Sequence, residues 1–166
     1  MLLFQSTLQT PLGDFALIGG DAGLRALLPI ERVGQFEMPI KSGAHPILDE
    51  AANQLSKYFE GTLREFSVPL DLRGTSFQNR AWLALQNIPY GQTRSYGEQA
   101  KYLESPNAAR AVGAANGRNP IWIIVPCHRI IGASGSLTGY AGGFERKRWL
   151  LDWERQNAVQ STLFSL

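Results

Sequence analysis

Residues 95–116 read SYGEQAKYLESPNAARAVGAAN. Tyr96, Ala100 and Leu103 recur at helical spacing, which predicts a short helix over Ser95–Leu103. Glu104-Ser105-Pro106 is a turn, and a second helix is predicted over Asn107–Asn116. A helix, a tight turn and another helix form a helix-turn-helix, which can lay its second helix on a duplex. That second helix is nearly bare, with five Ala, one Gly and a single charged side chain, Arg110. A major-groove reader needs several long polar side chains to reach base edges. With only one, this helix suits close approach to a narrow groove, Arg110 acting as a probe. The alternative at this point is a small-residue helix packed among neighbours, with Arg110 reaching out to solvent.

Upstream, Thr75-Ser76-Phe77-Gln78 has the hydroxyl and the Gln of a capping box. Phe77, Ala81, Ala84, Leu85 and Ile88 follow on one helical face, and Pro89-Tyr90-Gly91 ends the helix. Further upstream the pattern changes. Leu2–Leu8, Phe15–Ile18 and Leu24–Leu28 are short apolar-rich runs separated by Gly, Pro and Asp, the signature of a β-meander. Residues 31–44 read as loop. Leu48, Ala51, Ala52, Leu55 and Phe59 define a helix over His45–Glu60 with Gly61 at its C-cap, and His45 reads as a surface residue. A brief β-like stretch lies within residues 66–74. Downstream, Ile121–Val125 reads as buried extended chain ended by Pro126. Gly132–Gly143 reads as a loop holding five Gly, and Phe144–Arg155 as a final helix. The fold class expected is α+β. A small N-terminal antiparallel sheet with a helix, residues 1–70, precedes a helical domain, residues 71–166, with the helix-turn-helix and an active-site loop.

The 166 residues are 44% hydrophobic and 18% charged, enough for a packed core and against disorder. The net charge of +2 is unevenly spread. Residues 1–70 balance at −3 and residues 71–166 at +5, so the second part is the expected contact for an anionic partner. One Cys excludes internal disulfides and Cys-based zinc clusters. No apolar run approaches a membrane span, and the first residues lack a basic n-region. A soluble protein of a reducing, cytoplasmic compartment is expected.

Pro126-Cys127-His128-Arg129 carries the nucleophile question. A lone Cys is often an inert small hydrophobe. The adjacent His128 and the charge of Arg129 favour a thiolate if they face Cys127. On extended chain His128 reaches Cys127 only across a turn or through a water. A carboxylate is needed to orient the imidazole, and spacing leaves Glu98, Glu104, Glu145, Asp152 and Glu154 open. Tyr140-Ala141-Gly142-Gly143 can offer backbone N–H groups to a ligand, or be a plain turn. Arg146-Lys147-Arg148 reads as a solvated helix face that could touch phosphates.

Taken together, Ile88-Pro89-Tyr90-Gly91, Ser95-Tyr96-Gly97, Ala108-Ala109-Arg110-Ala111-Val112-Gly113, Asn119-Pro120, Pro126-Cys127-His128-Arg129 and Gly139-Tyr140-Ala141-Gly142-Gly143 closely resemble the O6-alkylguanine-DNA alkyltransferases. The likeness runs over about residues 70–155. It implies direct repair of O6-alkylguanine, and of O4-alkylthymine, by irreversible transfer to Cys127 in a single turnover. It implies minor-groove binding and flipping of the damaged base. His128 would take the thiol proton through a water, Glu154 would orient His128, and Asn119 would brace the turns of the active segment. Arg110 would replace the flipped base in the stack, with Tyr96, Ala109, Arg129 and Gly113 also at the DNA. Tyr140, Ala141, Gly142, Ile130, Trp122 and Val125 would form the base pocket. Trp122 stands where members carry a small residue or Pro, so it either shapes the accepted adduct or faces the core. The expected partner is alkylated double-stranded DNA. The protein is expected to be monomeric, off the membrane, and free of cofactor or metal. Two rivals are a module that marks lesions without repairing them and a multiple-turnover thiol hydrolase.

Overall fold

The computed structural model describes residues 2–34, 39–137 and 143–164, the side chains of the last helix being described through Val159. The chain falls into two compact units, Met1–Arg73 and Gly74–Leu166.

In the first unit β1 (Leu3–Thr10), β2 (Gly13–Gly20) and β3 (Gly23–Pro29) form the antiparallel meander that the apolar runs predict. The Thr10 hydroxyl donates to the Gly13 carbonyl at 2.7 Å and accepts from Leu12 N at 3.0 Å, which closes the first hairpin. Residues 31–44 are not all loop. Ile40–Ser42 forms β4, which joins β1 in parallel and makes a mixed sheet of order β3-β2-β1-β4. Three residues are too few to show a period, so only pairing with β1 reveals this strand. Gly23 has φ +133°, and a Cβ there would stand 2.7 Å from the Pro69 carbonyl oxygen. Its bareness lets residues 69–71 bond across Leu24, which is the β-like stretch noted above.

α1 (Pro46–Glu60) ends on Gly61 in the left-handed conformation, as expected. Its start differs from expectation. His45 is the N-cap: Nδ1 accepts from Ile47 N at 3.1 Å and Nε2 lies 2.9 Å from Asp21. The buried face holds Leu48, Ala51, Gln54, Leu55 and Tyr58, so Tyr58 replaces Phe59 at the core.

The second unit opens with α2 (Ser76–Leu85), whose Thr75–Gln78 capping box forms as the sequence predicts. β5 (Arg94–Ser95) leads into α3 (Tyr96–Tyr102), capped by a second box between Ser95 and Glu98. α4 (Ala109–Gly117) starts two residues later than expected, because Ala108 N bonds Ser105 O in the preceding turn. Glu104 takes φ +57° at that turn. Ala81, Ala84, Ala100, Leu103, Val112 and Ala115 pack α2, α3 and α4 into one core, with Phe77 and Tyr96 against it. Small residues let the three helices approach closely. Buried among them, Gln99 and Asn116 exchange amide hydrogen bonds of 3.1 and 2.8 Å, which fixes α3 against α4. β6 (Ile130–Ile131) runs parallel to β5, pairing Arg94 with Ile130 and Ser95 with Ile131. This joins the start of the helix-turn-helix to the end of the cysteine segment. α5 (Phe144–Phe164) closes the unit. No helix among the described residues is long and apolar enough to cross a membrane.

Candidate active site

The cysteine segment is not extended chain. Val125 N donates to Ile121 O at 3.0 Å, Ile124 N to Trp122 O at 2.7 Å, and Cys127 N to Val125 O at 2.8 Å. These are successive tight turns, and Ile123 sits in the first γ-turn with φ +72°. A β-branched residue there costs of the order of 1–3 kcal/mol and persists only where its surroundings enforce it.

Asn119 supplies that enforcement. Its Oδ1 accepts from Ile121 N at 2.9 Å, and its Nδ2 donates to Val125 O at 2.8 Å. The same Nδ2 lies 3.1 Å from Cys127 Sγ. One amide thus ties both ends of the turn to the sulfur. The Trp122 indole N–H donates to the Asn119 carbonyl at 3.1 Å, and the ring is 3% exposed. The side chain is therefore packed into the interior, bracing Asn119.

Cys127 is 6% exposed at the start of a 3-10 turn, Cys127–Arg129. Burial pushes its thiol from the ordinary 9.0 up to about 11, against the Asn119 hydrogen bond and the Lys147 charge, which pull it down. The resting side chain is therefore a thiol. His128 is wholly buried, with Nε2 2.8 Å from Glu154 Oε2 and Nδ1 buried without a hydrogen-bond partner among the described residues. Of the five open carboxylates, packing selects Glu154.

Arg129 departs from expectation. Its donors are spent on Glu154 and Ile88 O, and it is 6% exposed. Its side chain is buried, with Nε and Nη2 donating to Glu154 Oε1 and Oε2 at 2.8 and 2.9 Å and Nη1 donating to Ile88 O at 2.7 Å. The guanidinium carbon stands 5.7 Å from the centre of the Tyr90 ring. Every donor nitrogen is directed inward, so Arg129 is withdrawn from the DNA contacts.

Lys147 does not belong to the solvated face that its neighbours Arg146 and Arg148 suggest; it is 1% exposed on α5. A periodicity signal for this exists in the sequence. Lys147, Leu150, Leu151 and Glu154 fall at i, i+3, i+4 and i+7, and all four are buried. Its charge acts on both Cys127 and His128, and burial lowers its own pKa. Burial likewise raises that of the half-buried Tyr96, with Cys127 contributing to the rise.

On α4, Arg110, Ala111, Ala114 and Gly117 are exposed and form a bare face, while Val112, Ala115 and Asn116 are buried. Ala109 is half-buried. A Cβ at Gly113 would meet the Tyr96 ring at 3.7 Å, ordinary contact. Val125 and Ile130 are fully buried, and the Cys127 carbonyl accepts from Ile130 N. Tyr140, Ala141 and Gly142 lie outside the described residues.

The buried set makes the fold acid-sensitive. Burial holds His128 below its ordinary 6.5, despite Glu154. The unfolded chain therefore binds the extra proton first, and stability falls as pH drops below about 6.5. Burial acts to raise Glu154 above its ordinary 4.5, but His128 and Arg129 outweigh it and hold it well below. Its contribution is present above about 4.5 and is lost as pH falls further. Melting temperature measured from pH 8 to 4 should therefore decline in two stages, the first near 6.5. A flat profile through pH 6 would contradict a neutral buried His128.

Two family models match the chain. The ribonuclease-like domain of 6-O-methylguanine DNA methyltransferase covers residues 3–72, and the DNA binding domain of the same protein covers residues 76–156. Methylated-DNA–protein-cysteine methyltransferases are similar over nearly full length. That of Mycobacterium bovis is 50% identical over 98% of this chain and 99% of its own. That of Methanosarcina acetivorans is 46% identical over 92% of this chain and 98% of its own. The crystal structure of Mycobacterium tuberculosis OGT in complex with DNA is 50% identical, with a TM-score of 0.86 over 95% of this chain and 94% of that one.

Proposed function

The chain belongs to the 6-O-methylguanine DNA methyltransferase family, and from that premise we infer that it repairs alkylated double-stranded DNA by taking the alkyl group onto Cys127. One observation carries the assignment to this residue. The sole thiol of the chain sits in a braced turn, held by Asn119 and followed directly by a buried His–Glu pair.

The reaction is a displacement at the alkyl carbon. His128 Nδ1 takes the thiol proton through a water, and Glu154 balances the imidazolium. The sulfur then forms a bond to the alkyl carbon as the carbon–O6 bond breaks. The electron pair leaves with guanine, which recovers a proton and is restored. The thioether formed is not hydrolysed by water, so each molecule acts once. The same displacement serves O4-alkylthymine.

A base within the stack cannot present its alkyl group to a buried sulfur, so the damaged nucleotide is turned out of the duplex at a cost of a few kcal/mol. The bare face of α4, Arg110, Ala111, Ala114 and Gly117, approaches the minor groove with the half-buried Ala109 and Gly113 at its edge, and Arg110 occupies the place of the flipped base. Tyr96 crowds the neighbouring phosphate. The flipped base is recognised by the backbone of Tyr140, Ala141 and Gly142, with Val125 and Ile130 behind the pocket, while Trp122 serves it only by bracing Asn119 from the interior. Residues 71–166 carry binding and transfer, and residues 1–70 support them. The protein works as a monomer in the cytoplasm.

Intact mass before and after exposure to an O6-methylguanine oligonucleotide tests the reading. One methyl group per molecule, located on the peptide holding Cys127, is expected. Binding without mass gain would instead indicate a lesion marker, and turnover beyond one equivalent a hydrolase. Arg110→Ala should slow repair of duplex more than dealkylation of the free base, because only a duplex needs its gap filled. Equal loss in single-turnover rates on both substrates would remove Arg110 from extrusion.

A further inference from the structure

We propose that Arg129 is a positioning residue for the transfer, holding Glu154 as a permanent carboxylate so that His128 waits as a neutral base with its proton on Nε2. This rests on the reading of Cys127 as the acceptor and adds the element that sets the state of its relay.

The geometry of Glu154 leads to it. Oε2 takes both His128 Nε2, at 2.8 Å, and Arg129 Nη2, at 2.9 Å, while Oε1 takes Arg129 Nε at 2.8 Å. An ionised carboxylate only accepts, so His128 Nε2 must carry the hydrogen and Nδ1 keeps the lone pair. Nδ1 is the buried nitrogen without a hydrogen-bond partner among the described residues. A guanidinium does not deprotonate, so the charge opposite Glu154 is fixed at every working pH. Ile88 O fixes the third guanidinium nitrogen, which leaves Arg129 one orientation.

Charge accounting gives the consequence. The groups that act on His128 are Glu154 and Lys147 from α5, with Arg129 from its own turn. Cys127 precedes it directly. A lone buried Glu154 would draw a proton onto the pair, either onto His128 or onto itself. A proton on His128 abolishes the base. A proton on Glu154 turns an acceptor into a possible donor and releases the Nε2 tautomer. Arg129 prevents both by matching Glu154, and Lys147 adds a second cation against an imidazolium. The thiol proton can then move to Nδ1, where the new imidazolium faces the thiolate and Glu154.

Two measurements test this. The chain has two histidines, so isotope-labelled His gives a readable imidazole spectrum. In the wild type at pH 7, His128 should be neutral with hydrogen on Nε2. An imidazolium or the Nδ1–H tautomer would overturn the proposal, and this holds even if no Arg129 variant folds. Second, single-turnover methyl transfer should be followed against pH. Arg129→Met should move the acid limb upward by about one to three pH units, slowing transfer about tenfold for each unit at pH values below the limb. Arg129→Lys should restore most of the limb's position. A uniform loss at all pH values, with the limb unmoved, would mean a packing role only and overturn the proposal. Absence of transfer by the wild type would instead overturn the function itself, while the His128 spectrum would still report on Arg129.

Discussion

A Cys127→Ser variant is expected to bind methylated duplex and transfer nothing. Loss of a nucleophile from a preorganised site lowers rate on the order of a millionfold, and here no second nucleophile stands in the same place. The Cys127 thiol is already raised to about 11 by burial. A hydroxyl in the same cage is far harder to ionise, and His128 as a neutral base cannot make up the difference. The fold should survive, because Asn119 Nδ2 can donate to the serine oxygen as it does to sulfur at 3.1 Å. Binding depends on the bare face of α4 and on phosphate contacts, so it should persist and should weaken with salt. Intact mass and a salt-dependent binding curve, run on the same sample, check both halves. Methyl transfer by this variant would refute the displacement at Cys127.

The largest loss of stability is expected from Glu154→Leu. Glu154 is 1% exposed, and its removal leaves the Arg129 guanidinium buried beside Tyr90 and Ile88 with no counter-charge. Breaking a buried pair in this way costs about 3–5 kcal/mol. For a chain of this length that lowers the melting temperature by roughly 6 to 20 °C. The cause is the stranded charge rather than the lost attraction. Adding Arg129→Met to Glu154→Leu should therefore recover most of the loss, since a buried pair can be replaced by apolar groups of similar size at little cost. Thermal melts of the single and double variants separate the two accounts. A double variant as unstable as the single would show that the pair itself stabilises the fold.

These expectations follow from contacts that local sequence does not report. The capping box at Thr75 was legible because donor and acceptor lie three residues apart, and the Ser95–Glu98 box, of the same spacing, emerged only with the structure. The helix-turn-helix was legible because one turn residue set and one helical period decide it. The resemblance around Cys127 was legible as an ordered series of motifs. The inward turn of Arg129 is not legible in the sequence, because nothing within four residues indicates whether a cation turns in or out. Its partner is 25 residues away. The burial of Lys147 is obscured for a different reason: neighbouring cations mask a periodicity that places it beside Leu150, Leu151 and Glu154.

The sequence by itself determined the run of helices, the caps at Thr75 and Gly61, the meander and the family to which the motifs around Cys127 point. Each rests on patterns closed within one turn or one hairpin. Tertiary structure alone decided that β4 joins in parallel, that residues 121–127 coil into γ-turns, and that Glu154, which the resemblance already implied for His128, also holds Arg129. It also decided that Arg129 faces inward. A buried charge has no preferred direction of its own. It goes where packing supplies an opposite charge, and that partner exists only once α5 is folded against the cysteine turn.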